Sequence, residues 1–165
     1  MSTRSGYIGT VGTSTTKLGL FGSSETSTMS SQAEGARIYC VSILEDGEVV
    51  RKYEPYVKDG VVGFRDAITG EFATTAYTDT GKLPLTIGGQ VEYEGATDAY
   101  VESDGTQYVD LNVAVGANTR LDVDFQVMST NRAVGVFNLL NNSSLTSALL
   151  WVNGSGSIES NMGTW

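Results

Sequence analysis

The sequence predicts an all-β fold with two antiparallel sheets, and three observations lead to that prediction. The 165-residue chain contains 20 glycines and only 2 prolines, and with its abundant Ser and Thr this composition favours short strands joined by tight turns. Turn signals recur about every 8–12 residues between apolar runs. No apolar period of about 3.6 residues is sustained long enough to indicate helices.

Each turn predicted in the first half contains a pair of residues that ends in glycine. Asp46-Gly47 and Asp59-Gly60 each lie between apolar runs, and Thr69-Gly70 follows the same arrangement. Asp-Gly favours a type I′ turn, because both residues accept the positive φ angles that this turn requires. The strands predicted around these turns are 16–21, 36–44, 49–53, 61–65 and 72–77.

The clearest strand of the second half is predicted at 120–128. Its residues alternate between an apolar and a polar set, the period-2 pattern of a strand with one buried face. The further strands predicted in this half are 99–102, 107–113, 133–140 and 147–152. A short helix is the alternative at 133–140, where Gly135 and the valine content favour a strand. The apolar set at 120–128 is Leu121, Val123, Phe125 and Val127, and the polar set is Asp122, Asp124 and Gln126.

Two segments of the chain resemble parts of a concanavalin A-like, laminin-G-type jelly roll. The run Tyr100-Val-Glu-Ser-Asp-Gly-Thr-Gln-Tyr-Val-Asp110, followed by Asn118-Thr-Arg-Leu-Asp-Val-Asp-Phe-Gln126, resembles the start of such a module. Ala36-Arg-Ile-Tyr39, Gly47-Glu-Val-Val-Arg51, Pro55 and Gly63-Phe-Arg-Asp-Ala-Ile-Thr-Gly-Glu-Phe72 resemble its end. The resemblance implies a two-sheet antiparallel jelly-roll sandwich of the kind found in bacterial surface proteins and phage virion proteins.

The two segments occur in the reverse of the family's order. Closing strands occupy 1–78, a linker is predicted at 79–90, and opening strands occupy 91–165. Three interpretations remain open: a slice of a tandem array, a circular permutant, and a sandwich completed by strands of a neighbouring chain. Because an incomplete sandwich would expose strand edges, we expect a homo-oligomer or a tandem repeat.

Composition narrows the classes of partner. The net charge is −9 with 10 Lys and Arg, and these are scattered, so nucleic acid is not expected. Histidine is absent, which removes the commonest general base and metal ligand. Cys40 is the single cysteine, and no apolar run is long enough for a membrane span. The first residues lack the apolar core of a signal peptide, which leaves another export route, a trimmed start or assembly inside a cell.

A ligand-binding row is predicted on the strand at 107–113. Tyr108, Asp110 and Asn112 share one face of that strand by alternation. An aromatic ring beside Asp and Asn suits sugar stacking with hydroxyl recognition, whereas the alternative is a cross-strand packing pair. Trp151 is a further candidate ligand contact, with a core or edge-covering role as the alternative.

Acidic residues suggest two other kinds of site. Asp122 and Asp124 lie about 6.6 Å apart on one strand face, and the resemblance implies calcium near a sandwich rim; a solvated acidic face is the alternative. Glu102-Ser-Asp104-Gly-Thr-Gln107 approaches a glycosidase Glu-x-Asp-x-x-Glu motif, but Gln107 can neither donate a proton nor attack. We interpret that segment as a turn.

The function predicted from the sequence is non-enzymatic. The resemblance implies a binding or adhesion module, expected to recognise a glycan, located extracellularly, on a cell surface or on a virion. The alternative is a structural decoration, fibre or filament subunit without a small ligand. A glycoside hydrolase is the third reading, and no cofactor other than calcium is expected.

Overall fold

The computed structural model describes residues 2–7, 17–21, 35–75, 84–89, 91–93, 96–97, 99–104, 107–114, 118–128, 134–140, 149–152 and 158–161. For 2–7, 91–93, 96–97, 134–140, 149–152 and 158–161 only the backbone is described. All regular elements in these ranges are strands, and every pairing is antiparallel. The predicted all-β class is therefore confirmed. No helix in the described part is long and apolar enough to cross a membrane.

The largest sheet contains eight of the described strands. The main path runs β1-β12-β3-β4-β5-β6, while β10 also pairs with β3 and β7 pairs with β10. The strands are β1 (Ser2–Tyr7), β3 (Ala36–Glu45), β4 (Glu48–Lys58), β5 (Val61–Asp66), β6 (Phe72–Ala73), β7 (Thr86–Gly88), β10 (Tyr100–Ser103) and β12 (Thr119–Val127). We call this the large sheet.

A second sheet, the small sheet, has the order β11-β2-β13-β14-β15 among the described residues. A separate two-stranded ribbon pairs β8 with β9. The small sheet is formed by β2 (Lys17–Leu20), β11 (Val109–Ala114), β13 (Val134–Leu140), β14 (Leu149–Val152) and β15 (Ile158–Asn161), and the ribbon by β8 (Val91–Tyr93) and β9 (Ala96–Thr97).

Strands from both sides of the predicted linker pair with each other in both sheets. In the large sheet β12 pairs with β3 from Thr119↔Glu45 to Val127↔Ala36, with an irregularity after Asp124. In the small sheet β2 pairs with both β11 and β13. Within 79–90, strand β7 pairs with β10. The boundaries 1–78, 79–90 and 91–165 themselves stay a prediction.

The predicted Asp-Gly turns are confirmed by their backbone angles. Asp46 and Gly47 have φ of 51° and 86°, and Asp59 and Gly60 have φ of 52° and 80°. Two consecutive positive φ values define a type I′ turn, whose twist matches that of the flanking strands. These turns connect β3 to β4 and β4 to β5.

Strand β4 continues to Lys58, five residues beyond the predicted end at 53, although it contains Pro55. Its pairing with β3 is described only as far as Tyr53, whereas its pairing with β5 covers Tyr53–Lys58. Proline lacks an N–H group and is tolerated where one side of a strand is free of a partner. Strand β6 is shorter than the predicted 72–77, and residues 76–77 lie outside the described ranges.

Most of the buried apolar side chains described in the two sheets belong to one hydrophobic cluster. Leu18 and Leu20 of the small sheet pack in it with Tyr53 and Phe64 of the large sheet, all at most 1% exposed. The Tyr53 hydroxyl donates to the carbonyl oxygen of Leu111 at 3.4 Å, which joins β4 to the small sheet. Burial raises the pKa of Tyr53 to about 12.

The predicted core face of β12 is confirmed. Leu121, Val123 and Phe125 are buried, and Val127 is partly buried against the same cluster. Between these residues Asp122 and Asp124 are half-buried, and Gln126 is exposed. Alternation along β12 therefore places its polar residues on the side of the large sheet that faces away from the core.

Candidate binding face of the large sheet

The predicted ligand-binding row on β11 is interrupted by its backbone. Tyr108 is half-buried and lies just before the strand. The Asp110 carboxylate accepts a 2.7 Å hydrogen bond from the backbone N–H of Asn112, and it lies 4.0 Å from Lys17 Nζ. Asn112 has a φ of 53°, and the pairing of β11 with β2 is irregular there. Since alternation requires extended backbone, Asn112 does not simply continue the face of Asp110.

Trp151 lies on a different strand of the same sheet. It occupies β14, opposite Gly135 of β13 and Glu159 of β15. Strands β2 and β13 separate β14 from β11, a distance of about 14 Å at ~4.8 Å per strand. The sequence prediction for the side chain of Trp151 lies outside the described residues.

The predicted calcium residues, Asp122 and Asp124, are neighbours on one face of β12 but have different surroundings. Asp122 forms an ion pair with Arg120, with 2.9 Å between Nε and Oδ1. Oδ1 of Asp124 is buried and has no hydrogen-bond partner among the described residues. No group of three or more His, Cys, Asp or Glu side chains in the described part could hold a metal ion. A hard cation needs several oxygen ligands, so the described side chains alone do not fit a calcium site.

The segment at 102–107 forms hydrogen bonds that hold its backbone. Gln107 is buried, and its Oε1 accepts hydrogen bonds from the Ser103 hydroxyl at 2.7 Å and from the Asp104 N–H at 3.1 Å. Glu102 forms an ion pair with Arg37, with 2.6 Å between Oε2 and Nε. Gln107 therefore anchors the loop between β10 and β11.

Sequence reasoning missed the side of the large sheet that faces away from the core, which we call the outer face. Two aromatic pairs lie on it. Tyr39 and Tyr100 meet edge to face with 5.6 Å between ring centroids, and Arg37 lies 4.3 Å from the centroid of Tyr100. The Tyr39 hydroxyl donates to Gln126 Oε1 at 3.1 Å. We call this group the Tyr39–Tyr100 patch.

The second aromatic group lies on the β4–β5–β6 side of the same face. Tyr56 and Phe72 meet edge to face with 6.3 Å between centroids. Arg65 lies 5.6 Å from the centroid of Tyr56, and Lys58 lies 6.0 Å from that of Phe72. Tyr56 is 41% exposed. We call these four residues the Tyr56–Phe72 patch.

Each patch also covers a glycine of a neighbouring strand. A Cβ on Gly63 would lie 2.8 Å from the Phe72 ring, and a Cβ on Gly88 would lie 2.5 Å from the Tyr100 ring. Aromatic rings commonly shield glycine backbone in this way. Phe72 and Tyr100 therefore contribute to the sheet itself, whereas no such close approach involves Tyr56 among the described residues.

The sequence contains a pattern that indicates these patches, but it is not the alternation of apolar and polar residues. Along β4 the outer positions are Lys52, Glu54, Tyr56 and Lys58, and the inner positions include Tyr53 and Pro55. Both sets mix aromatic and polar residues, so the pattern does not separate the faces. An aromatic residue in register with charged ones is the signal that would have identified Tyr56.

A buried carboxylate at the end of β5 stabilises the turn that follows. Asp66 Oδ1 accepts from the N–H groups of Lys52 and Ile68, each at 3.0 Å, and Oδ2 accepts from the Thr69 hydroxyl at 2.7 Å. Arg51 Nε lies 3.3 Å from Oδ2. Burial opposes ionisation, but these hydrogen bonds and the Arg51 charge outweigh it and lower the pKa of Asp66. All these partners belong to strand β4 and to the turn that follows β5, so the group is structural.

Comparison of the chain with protein-family models, with curated proteins and with solved structures gives no match. The resemblance to concanavalin A-like modules thus depends on the sequence segments that carry it.

Proposed function

We propose that this protein is a non-enzymatic binding module that recognises a glycan through the outer face of the large sheet. The observation that carries the proposal is the presence of two edge-to-face aromatic pairs on that face, each beside a cation. Aromatic rings with a polar end suit surfaces that are partly apolar and partly wet. Sugars offer C–H faces for the rings and hydroxyls for the neighbouring polar groups.

The proposed setting is a permuted concanavalin A-like jelly roll on a cell surface or a virion. The resemblance of 36–72 and 100–126 to that family supports it, as does the single core shared by the two sheets. Fold alone does not define a ligand, so the glycan proposal depends on the outer face. Calcium binding by Asp122 and Asp124 is proposed only together with further oxygen ligands that are not among the described side chains.

Binding is favoured over hydrolysis by the contacts of the candidate catalytic segment. Glu102 is held by Arg37, and the position that would carry the second carboxylate is Gln107, which accepts two hydrogen bonds within its own loop. A retaining glycosidase needs two carboxyl groups about 5–5.5 Å apart. These contacts support a structural role for the segment.

The test is a glycan array probed with the wild-type chain and four alanine variants, one of which is a control. We expect Tyr56→Ala or Tyr100→Ala to reduce binding and Tyr108→Ala to leave it unchanged. Ile68→Ala is the matched control, because Ile68 is 53% exposed on a turn outside both patches. Melting curves of each variant identify effects of lost folding. Binding that is lost only in Tyr108→Ala would transfer the site to β11, and absence of glycan binding would refute the proposal.

A second candidate function is assembly with other copies, and one observation favours it. Val57 and Val61, at the tip of the β4–β5 hairpin, are 44% and 47% exposed. The register pairs Val57 with Val62 and Val61 with Lys58, so the two valines lie on opposite faces of the hairpin, and a neighbouring copy would contact the tip from both sides. If the protein is an assembly subunit, Val57→Lys with Val61→Lys should reduce particle mass in sedimentation velocity. An unchanged mass would exclude the hairpin tip as the contact.

A further inference from the structure

Two cations of the Tyr56–Phe72 patch have no carboxylate partner among the described residues. The described side chains include seven Lys and Arg residues. Five of them lie within 4.0 Å of a carboxylate. Lys58 and Arg65 have no such partner in the described part of the chain, and both are exposed. They flank the same aromatic pair on the same sheet face.

A carboxylate lies opposite Arg65 in the β4–β5 ladder, but it is bound by another residue. Arg65 is directly opposite Glu54 in the β4–β5 register, a position where opposite charges usually interact. Glu54 instead accepts a 2.6 Å hydrogen bond from Lys52 Nζ, and the Arg65 guanidinium lies over Tyr56. The positive charge of Arg65 is therefore not neutralised by its cross-strand neighbour.

Two cations without a carboxylate partner among the described residues are unusual in a chain of this acidic composition. Acidic residues outnumber basic ones by 19 to 10, so a cation has many carboxylates with which to pair. A guanidinium held against a ring keeps its N–H donors available, and it binds carboxylates through two parallel hydrogen bonds. Lys58 supplies a second positive charge beside Phe72, at the other ring of the pair.

We propose that the Tyr56–Phe72 patch selects acidic sugars, with Tyr56 contacting the sugar ring and Arg65 and Lys58 binding its carboxylate or sulfate group. This inference rests on the proposed glycan-binding function and specifies its ligand class. Charge complementarity is its basis: an anionic glycan supplies the negative group that the two cations lack within the described part of the protein. Because the patch is exposed, this attraction weakens as salt increases.

The experiment uses an array of acidic glycans beside their neutral forms, in which the sialic acid is removed, the uronic acid is methyl-esterified or the sulfate is absent. The array separates a carboxylate from a sulfate requirement. We expect the wild-type chain to prefer the acidic members. Arg65→Gln and Lys58→Gln should each weaken binding to the preferred acidic glycan about tenfold, or 1.4 kcal/mol, and titration at low and physiological salt should show weaker binding at the higher salt.

The chain offers a matched control for each variant. Lys17→Gln removes the same charge as Lys58→Gln, but Lys17 lies on the small sheet, 4.0 Å from the Asp110 carboxylate. Arg120→Gln removes the same charge as Arg65→Gln, but Arg120 is paired with Asp122. We expect both controls to bind the acidic glycan as the wild type does. If they weaken binding equally, the effect is one of net charge and the proposal is wrong.

The outcomes separate this inference from the function on which it rests. Equal binding of acidic and neutral forms would overturn the inference and leave glycan recognition in place. Preference for acidic forms that survives Arg65→Gln combined with Lys58→Gln would also overturn it. Absence of all glycan binding would refute both. Self-association of the wild type that these two variants abolish would assign the patch to contact between copies and overturn the inference.

Discussion

The buried carboxylate of Asp66 offers the sharpest test of the β4–β5 hairpin. Replacing it with Ala removes the acceptor for two backbone N–H groups and for the Thr69 hydroxyl. It also removes the anion that lies 3.3 Å from Arg51 Nε, a buried atom with no hydrogen-bond partner among the described residues. Removing one partner of a fully buried ion pair costs about 3–5 kcal/mol, and the Arg51 side chain is 33% exposed. We expect Asp66→Ala to lower the free energy of unfolding by about 3 kcal/mol, the lower end of that range.

Asp66→Asn should have a smaller effect for a specific reason. The amide oxygen can still accept from Lys52 N–H and Ile68 N–H, but the amide NH₂ group faces Arg51 and carries no negative charge. Loss of a hydrogen bond to a charged group costs about 1.5–3 kcal/mol. Asp59→Asn is the control, because Asp59 is exposed at a positive φ that Asn also accepts; its effect should stay within about 0.5 kcal/mol.

The pH dependence of the free energy of unfolding shows whether ionised Asp66 stabilises the folded protein. The pKa of this carboxyl is lowered in the folded protein, so its stabilisation is complete above the ordinary aspartate pKa of about 3.9 and is lost as pH falls through the folded value. Urea unfolding followed by circular dichroism should show a constant difference between wild type and Asp66→Asn above about pH 5. The difference should narrow below about pH 4. Equal stability of the two proteins at neutral pH would refute this reasoning.

Three further predictions concern the core, a close backbone contact and the predicted metal. Phe125→Ala should lower the free energy of unfolding by about 3–5 kcal/mol, measured by denaturant titration, since Phe125 is 4% exposed in the core; a tolerated change would show that the register of β12 is wrong. Gly63→Ala should lower the melting temperature, because its Cβ would clash with the carbonyl oxygen of Ala73; an unchanged temperature would contradict the close approach of β6. If Asp122 and Asp124 bind calcium, the ion should raise the melting temperature by mass action, and identical curves in chelator and in excess calcium would remove the site.

Local chemistry accounts for the features that the sequence predicted. Asp46-Gly47 and Asp59-Gly60 form the expected turns because Asp and Gly themselves accept the positive φ angles of a type I′ turn. Strand β12 was predictable because one of its faces is buried. Strand β1 was not, since Ser2-Thr-Arg-Ser-Gly-Tyr7 contains no apolar alternation and becomes a strand through its backbone ladder with β12.

The outer face depends on contacts that local patterns do not encode. Register alone would pair Arg65 with Glu54, whereas the structure places Glu54 on Lys52 and Arg65 over Tyr56. Asp66 likewise has no local pattern that predicts its burial, which results from partners in strand β4 and in the turn after β5. Which of several possible partners a residue binds depends on the assembled sheet. The residues proposed here as the binding site therefore differ from those predicted on β11.

The central claim is that strands from both sides of the predicted linker pair within one chain, and the single native cysteine provides its most direct test. Asp124 lies directly opposite Cys40 in the β12–β3 ladder, at a separation that suits a disulfide. Oxidation of Asp124→Cys should give a monomer without free thiols on a non-reducing gel and by mass spectrometry. Asp122→Cys, opposite Ser42, is the control and should retain its thiols. Disulfide-linked dimers of Asp124→Cys, or persistent free thiols in it, would contradict the claim.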